Sequence, residues 1–97
     1  MRGDARRTLV AYDVPDDKRR SRIARTLEAY GHRLQFSVFV VEIGPIKLAR
    51  LRRELSALIA AEDSVLLCDL GPAHTADDRC EFLGRTRVPG LRPDLVV

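Results

Sequence analysis

The sequence predicts an α+β fold in which one antiparallel sheet carries two helices on one of its faces. Three observations lead to this prediction. The chain has 97 residues, the size of one domain with a single core. Two segments have the apolar spacing of amphipathic helices, and four others are short, apolar and rich in β-forming residues. Because each helix has a single apolar stripe, we expect both on one face of the sheet, in a variant of the ferredoxin-like βαββαβ plan.

The first half of the chain predicts a strand, a helix and a long second strand. Residues 8–14 form an apolar run without alternation, which is typical of a central strand covered on both faces. Asp16 and Asp17 are suited to cap the helix that follows, and Gly31 is suited to end it. The buried stripe of this helix is Ile23, Leu27 and Tyr30. Residues 34–43 predict one long strand.

The second half predicts a helix and two further strands, so that the elements run strand, helix, strand, helix, strand, strand. The helix covers residues 46–61, and the strands cover residues 64–70 and 80–84, with a polar loop between them. We predict a single domain over residues 1–97, with its core at residues 8–85. The tail of residues 86–97 ends in an apolar stretch that has no obvious partner strand, so we expect it at the interface of a homodimer.

Charge is segregated along the chain. Residues 18–53 hold ten of the seventeen basic residues and two acidic ones, a net charge of +8, whereas residues 54–97 carry −4. Fifteen of the basic residues are arginine. The planar guanidinium of arginine donates two parallel hydrogen bonds to phosphate oxygens and stacks on bases. On the first predicted helix, Arg19, Arg22 and Arg25 lie three apart on roughly one face, with Arg20 near its edge. This distribution favours a phosphate-bearing partner, although genomic base composition and ordinary solvated helix faces produce the same pattern.

The composition favours the cytoplasm. No apolar run is long enough to cross a membrane, and the basic first residues are not followed by the apolar stretch and cleavage site of a signal peptide. Cys68 and Cys80 are not spaced as metal ligands, and we expect both to be reduced. The two histidines likewise show no metal or catalytic spacing.

Asp13 is the residue most indicative of chemistry. It is a lone carboxylate in an otherwise apolar strand, where burial without a partner or a cation is costly. A Mg²⁺ ion needs only one or two protein carboxylates, because waters and phosphate oxygens complete its coordination. The alternative is a strand-end aspartate that accepts backbone N–H bonds or pairs with an arginine. Because phosphodiester hydrolysis normally gathers several carboxylates, the metal interpretation needs a dimer that brings two copies of Asp13 together.

Other polar residues rank behind Asp13. Asp69 and the pair at residues 77 and 78 are further acidic candidates, although surface loops commonly hold such residues for solubility. Ser37 and Phe39 lie on one face of the predicted long strand, where a hydroxyl and an aromatic ring suit contacts with nucleic acid. More often such a pair is core or interface packing.

Three clusters of residues resemble the small CRISPR-associated endoribonuclease family. They are residues 9–14, which include Asp13, residues 17–22 and residues 30–39. Order, spacing and residue type agree across all three clusters, whereas the second half of the chain agrees mainly in its layout and length. One position departs: the acidic residue that commonly follows the Ser-Val-Phe segment is Val40 here, and Glu42 comes two places later.

The resemblance implies a ferredoxin-like homodimer in which the Asp13 carboxylates of the two subunits face each other and share a divalent metal. It also implies metal-dependent cleavage of single-stranded RNA or double-stranded DNA. The same family forms the central dimer of the spacer-integration complex, where it bridges integrase subunits and holds duplex DNA. The positions that correspond to its activity-linked residues are Arg20, Arg22, Arg33, Ser37 and Phe39. With Arg19 from the helix face, these are the predicted nucleic-acid contacts.

Other functions are compatible with the same residues. A non-catalytic dimer would clamp duplex DNA through its phosphates and bridge integrase subunits. A toxin-type ribonuclease of similar fold would share the aspartate but serve a different biology. A small-ligand regulatory module is a third alternative, but no glycine-rich turn or polar pocket signature supports it.

Overall fold

The computed structural model describes residues 4–85, without the side chains of residues 77 and 78. The elements in chain order are β1 (Arg6–Asp13), α1 (Asp17–Glu28), β2 (Gly31–Gln35), β3 (Val38–Ile43), α2 (Pro45–Leu58), β4 (Ser64–Pro72) and a 3₁₀ helix (Ala73–Arg79). The predicted α+β fold is confirmed. None of the helices in this part of the chain is long and apolar enough to span a lipid bilayer.

The four strands form one antiparallel sheet in the order β2-β3-β1-β4. This order follows from the two crossovers: α1 carries the chain from β1 over β3 to β2, and α2 carries it from β3 over β1 to β4. The strand β1 therefore lies inside the sheet, paired on both sides, and its last residue Asp13 lies opposite Ser64 of β4. The pairing of β1 with β3 already ends at Ala11, so Asp13 is held by β4 alone.

Both helices pack on the same face of the sheet, as predicted. The main core joins Val10 of β1 and Phe39 of β3 to Leu27 of α1 and to Leu51 and Leu55 of α2. The helix α1 begins where the side chain of the N-cap residue, Asp16, accepts a hydrogen bond of 2.8 Å from the backbone N–H of Arg19. This cap, only three residues beyond the end of β1, sets the start of the helix.

The face of the sheet away from the helices, here called the open face, is only partly covered. Leu34 and Val40 are buried there against Leu9 and Val38, with Phe82 from the last described segment lying over them. Leu66 and Leu83 remain 55% and 77% exposed. The open face therefore presents apolar surface that one chain leaves in contact with water.

The prediction of one long strand over residues 34–43 is wrong. The segment forms a hairpin whose turn is Phe36 and Ser37, and its first strand starts at Gly31. Gly31 lies so close to β3 that a Cβ atom there would overlap the carbonyl oxygen of Val40. The glycine that the sequence predicts only as the end of the helix therefore also begins the edge strand.

The predicted strand at residues 80–84 is also wrong, because the chain there makes a single bridge at Phe82 and no extended strand. The observed order is strand, helix, strand, strand, helix, strand. The segment predicted as a polar loop after residue 70 forms the 3₁₀ helix at Ala73–Arg79. The helix α2 ends at Leu58 rather than at residue 61, since Asp63 accepts a hydrogen bond from the backbone N–H of Ala60 and holds the chain outside the helix. The predicted tail strand lies outside the described residues.

Candidate functional site

Asp13 is exposed to solvent at the end of β1. Within residues 4–85 its carboxylate has no hydrogen-bond or ion-pair partner. Asp13 is the last residue of β1 and pairs only with Ser64 of β4, since the pairing with β3 ends at Ala11. One chain therefore offers a free carboxylate with both oxygens available to a ligand.

The β2–β3 turn is held against the residue that precedes Asp13. The backbone N–H of Tyr12 donates to the carbonyl oxygen of Ser37 at 3.0 Å, and the Tyr12 hydroxyl donates to the carbonyl oxygen of Phe36 at 3.4 Å. Burial raises the pKa of Tyr12 above its usual value, and the positive charges of Arg33 and Arg20 partly offset this effect. The phenol therefore keeps its proton at neutral pH and can donate to the turn.

Two arginines flank this turn. The Arg33 guanidinium donates to the carbonyl oxygen of Phe36 at 3.0 Å and lies 5.1 Å from the centre of the Phe39 ring. The Arg20 guanidinium donates to the carbonyl oxygen of Val14 at 2.9 Å, pairs with Asp17, and lies 5.8 Å from the centre of the Phe36 ring. Both ring distances are within the range of cation–π attraction. Positive charge is thus concentrated at the same end of the sheet as Asp13.

Phe39 does not contact solvent. Its side chain is 0% exposed, packed between sheet and helices with the Tyr12 ring 6.3 Å away. The predicted role of Phe39 in stacking on nucleic acid is therefore wrong for this chain: the turn at Phe36 and Ser37 separates Ser37 from β3, and Phe39 faces the helices. Ser37 is partly exposed in the turn.

Arg19 is engaged elsewhere. It donates to both carboxylate oxygens of Asp63, at 2.8 and 3.0 Å, and to Glu62 at 2.8 Å. The Asp63 side chain is 0% exposed, and its hydrogen bond to Arg19 holds its pKa below the usual range, assisted by the backbone N–H of Ala60. Arg19 ties α1 to the turn before β4, and its guanidinium is already paired with two carboxylates.

Arg22 has a different environment. It is exposed on the outer side of α1 together with Lys18 and Arg25, at the spacing i, i+4, i+7 that aligns side chains along a helix. Arg50 and Arg53 are exposed on α2, on the side away from its buried leucines. None of these five residues has an ion-pair partner among the described residues, so the helical layer carries free positive charge.

The remaining acidic candidates lie apart from Asp13. Asp69 is opposite Thr8, near the other end of β1, where it pairs with Arg6 at 2.9 Å and accepts a hydrogen bond from the N–H of Gly71. Glu42, at the same end as Asp69, pairs with the buried Arg7. Both carboxylates already have partners, so neither adds to the ligands available beside Asp13.

The described residues of one chain do not provide enough ligands for a metal site. Residues 4–85 contain no group of three or more histidine, cysteine or acidic side chains that could hold an ion. Asp13 fits a hard cation that takes one carboxylate from each of two subunits and fills its remaining positions with water and phosphate oxygens. Sequence reasoning missed Tyr12 and Phe36 as site residues, because only the hairpin brings them together.

Comparison with known proteins identifies the family. Residues 6–77 match the family described as CRISPR associated protein Cas2. This chain belongs to the Cas2 family. It is 32% identical over 90 residues to the CRISPR-associated endoribonuclease Cas2 of Geobacter sulfurreducens, an alignment that covers 92% of this chain and 95% of that relative.

A further Cas2 relative agrees in sequence, and a solved structure agrees in fold. The chain is 46% identical over 83 residues to the CRISPR-associated endonuclease Cas2 2 of Thermus thermophilus, covering 86% of this chain and 87% of the relative. The crystal structure of the hypothetical protein TT1823 from Thermus thermophilus superimposes with a TM-score of 0.76 at 34% identity, over 88% of this chain and 98% of the other. The resemblance seen in the sequence is thereby confirmed.

Proposed function

We propose that this Cas2-family chain is a metal-dependent endonuclease of CRISPR-based antiviral defence that cleaves RNA or double-stranded DNA and takes part in spacer acquisition. The observation that carries the proposal is the exposed carboxylate of Asp13, which has no partner within residues 4–85, at the end of the sheet where two arginines flank the turn. The names of the relatives from Geobacter sulfurreducens and Thermus thermophilus, an endoribonuclease and an endonuclease, support the reaction class. We expect the protein to act in the cytoplasm.

The active form is a homodimer. Two subunits are needed to supply two Asp13 carboxylates. The open face supports this arrangement, because it contains a groove of about 1010 Å³ whose walls combine apolar and polar side chains. Its apolar lining includes Leu9, Leu34, Val38, Phe82 and Leu83.

The residues of the chain have separate tasks in the reaction. Asp13 would hold a Mg²⁺ ion, and such an ion would activate water for attack and offset negative charge on the scissile phosphate. Arg33 keeps the turn beside Asp13 in place through the carbonyl of Phe36, and Arg20 places positive charge next to it. Arg22 binds phosphates farther along the strand, and Ser37 contacts the backbone of the nucleic acid. Arg19 and Phe39 support the fold.

The free positive charge of the helical layer favours a second candidate function. Lys18, Arg22 and Arg25 form a row on α1 without acidic partners among the described residues, and such a row suits the phosphates of a duplex. In this alternative the dimer is a non-catalytic scaffold that holds duplex DNA and bridges integrase subunits. Binding would be independent of sequence and would weaken steeply with salt.

The two candidates differ in what Asp13 does. Purified wild type and Asp13→Asn are incubated with labelled single-stranded RNA and duplex DNA, in Mg²⁺ or in EDTA. We expect metal-dependent cleavage by wild type and a loss of about a hundredfold or more in Asp13→Asn, because the metal loses its charged ligand. Glu28→Gln, which neutralises another exposed carboxylate, is the matched control and should cleave like wild type.

Equal inactivity of both proteins, with duplex binding intact in both, would contradict the enzyme and favour the scaffold. Equal activity of wild type and Asp13→Asn would also contradict the assignment, since the cleavage would then come from another site or a contaminant.

A further inference from the structure

Phe36 is an exposed aromatic residue at the tip of the β2–β3 turn. It is 66% exposed, although an aromatic ring of this size normally stabilises a protein by being buried. The other phenylalanine near the site, Phe39, is fully buried. The ring that is available to a ligand at this end of the sheet is therefore that of Phe36.

The backbone that carries this ring is held in place. The carbonyl oxygen of Phe36 accepts hydrogen bonds from Arg33 and from the Tyr12 hydroxyl, and the carbonyl oxygen of Ser37 accepts one from the backbone of Tyr12. Three hydrogen bonds thus fix a turn of only two residues. A ligand that contacts the ring avoids most of the entropy cost of ordering the turn.

Arg20 places a positive charge beside the ring of Phe36. Its guanidinium lies 5.8 Å from the ring centre. Its hydrogen bonds to Val14 and Asp17 anchor it to the start of α1. A nucleotide presents a flat base joined to a phosphate through the sugar. An exposed ring with a cation beside it matches both parts, because bases stack on aromatic side chains and arginine attracts phosphate.

We propose that Phe36 stacks on one unpaired base of a single-stranded nucleic acid and so places the adjoining phosphate toward Asp13. The proposal rests on the nucleic-acid function proposed above and deepens it by assigning a specificity residue. In a duplex each base is already stacked and paired, and reaching it requires unpairing it at a cost. Phe36 therefore favours single strands over duplexes, whereas the cationic rows on the helices bind both.

A second copy of this chain is the other occupant that the surface permits. Phe36 also lines the groove on the open face. The homodimer proposed above packs on this face, so stacking on a base requires that the ring of Phe36 stays outside the contact between the subunits, whereas a subunit that covered the ring would exclude it. In that arrangement, shortening the side chain would weaken the dimer and would lower the affinity for single strands and duplexes alike. The experiment therefore measures oligomeric state together with binding.

Binding is measured in EDTA, so that its outcome does not depend on whether the protein cleaves. The probes are a short adenine-rich RNA with one 2-aminopurine and a duplex DNA of equal length, titrated by fluorescence anisotropy and 2-aminopurine emission. The variants are Phe36→Leu and Phe36→Tyr, and the matched control is Ile46→Ala, which shortens an apolar side chain that is 79% exposed on α2. Thermal unfolding and sedimentation are recorded for each protein.

We expect Phe36→Leu to lose about fivefold or more in affinity for the single strand and less than about twofold for the duplex. Phe36→Tyr and Ile46→Ala should bind like wild type, and only proteins with an aromatic residue at position 36 should quench 2-aminopurine. The proposal is overturned if Phe36→Leu binds the single strand as wild type does, if both affinities fall together, or if the loss follows dissociation of the dimer. A failed cleavage test with intact stacking would instead contradict the nuclease alone.

Discussion

At the end of β1, the side chains around Asp13 form hydrogen bonds that hold the turn rather than neutralise the carboxylate. Tyr12 and Arg33 both donate to the carbonyl oxygen of Phe36, and Arg20 donates to the carbonyl of Val14. Arginines that are thus engaged have fixed positions, and their charge remains near Asp13. This division explains how two arginines can lie at the same end of the sheet as Asp13 without an ion pair to it among residues 4–85.

Phe39 supports this site through packing alone. Replacement by leucine keeps an apolar side chain of similar size, and we expect a loss of about 1 kcal/mol in the free energy of unfolding, measured by urea titration. Affinity of the folded variant for single-stranded RNA should stay within about twofold of wild type, because the ring does not reach solvent. A large loss of affinity in a fully folded Phe39→Leu would show that the ring becomes exposed on binding.

The ion pair of Asp63 with Arg19 should affect the acid stability of the protein. The pKa of Asp63 is lowered from 3.8, chiefly by its hydrogen bond to Arg19, so the folded state binds its proton less readily than the unfolded state does. The stabilisation is therefore fully present well above pH 3.8 and is lost as pH falls through the lowered pKa.

Urea midpoints measured from pH 6 downward should consequently fall more steeply in wild type than in Asp63→Asn, which lacks the titrating group. Asp17→Asn, at an exposed carboxylate, should keep the steep acid limb of wild type. An acid limb in Asp63→Asn that is as steep as in wild type would mean that other carboxylates account for the dependence.

At the scale of elements, the helices were predictable and the hairpin was not. The periodic leucines of α2 and the aspartates at the start of α1 are local sequence signals, and each helix forms where its signal predicts it. The turn at Phe36 and Ser37 has no glycine, proline or asparagine, and the surrounding apolar residues continue through it, so nothing in the sequence separates two strands. The bulge between Arg33 and Gln35 further disturbs the alternation that would have assigned faces.

The same limitation applies to the arginines of α1. The sequence spacing places Arg19, Arg22 and Arg25 on roughly one face of the helix. It cannot show that the acidic turn after α2 binds Arg19. Asp13 is detectable because a charged residue in an apolar run is a local signal, whereas its exposure depends on where the paired sheet ends. Local patterns thus identify candidate residues, and long-range contacts decide which of them are free.

The cationic row on α1 should contribute to duplex binding by counterion release. Replacing both Arg22 and Arg25 with glutamine should lower the slope of log K against log salt by about 0.9 for each phosphate that the protein no longer neutralises, measured by anisotropy with duplex DNA. Arg6→Gln, at an arginine already paired with Asp69, is the control and should keep the wild-type slope. An unchanged slope in the double variant would remove α1 from the binding surface.

For the whole molecule, the sheet separates two surfaces with different chemistry. The helical layer carries the exposed cations of α1 and α2, and the open face carries exposed apolar residues such as Leu66 and Leu83. In the proposed dimer the open faces of two subunits pack together and the helices point outward. The nucleic acid would then follow the charged exterior to the paired Asp13 residues.

The central claim is that Asp13 from each of two subunits holds one catalytic metal, and subunit mixing tests it most directly. Wild type and Asp13→Asn are mixed in varied ratios, allowed to exchange subunits, and assayed for Mg²⁺-dependent cleavage of RNA and duplex DNA. If both carboxylates are required, only dimers of two wild-type subunits are active, and an equal mixture retains about one quarter of the wild-type activity. Activity that instead falls in proportion to the wild-type fraction, to about one half, would show that each Asp13 works alone and would contradict the shared metal site.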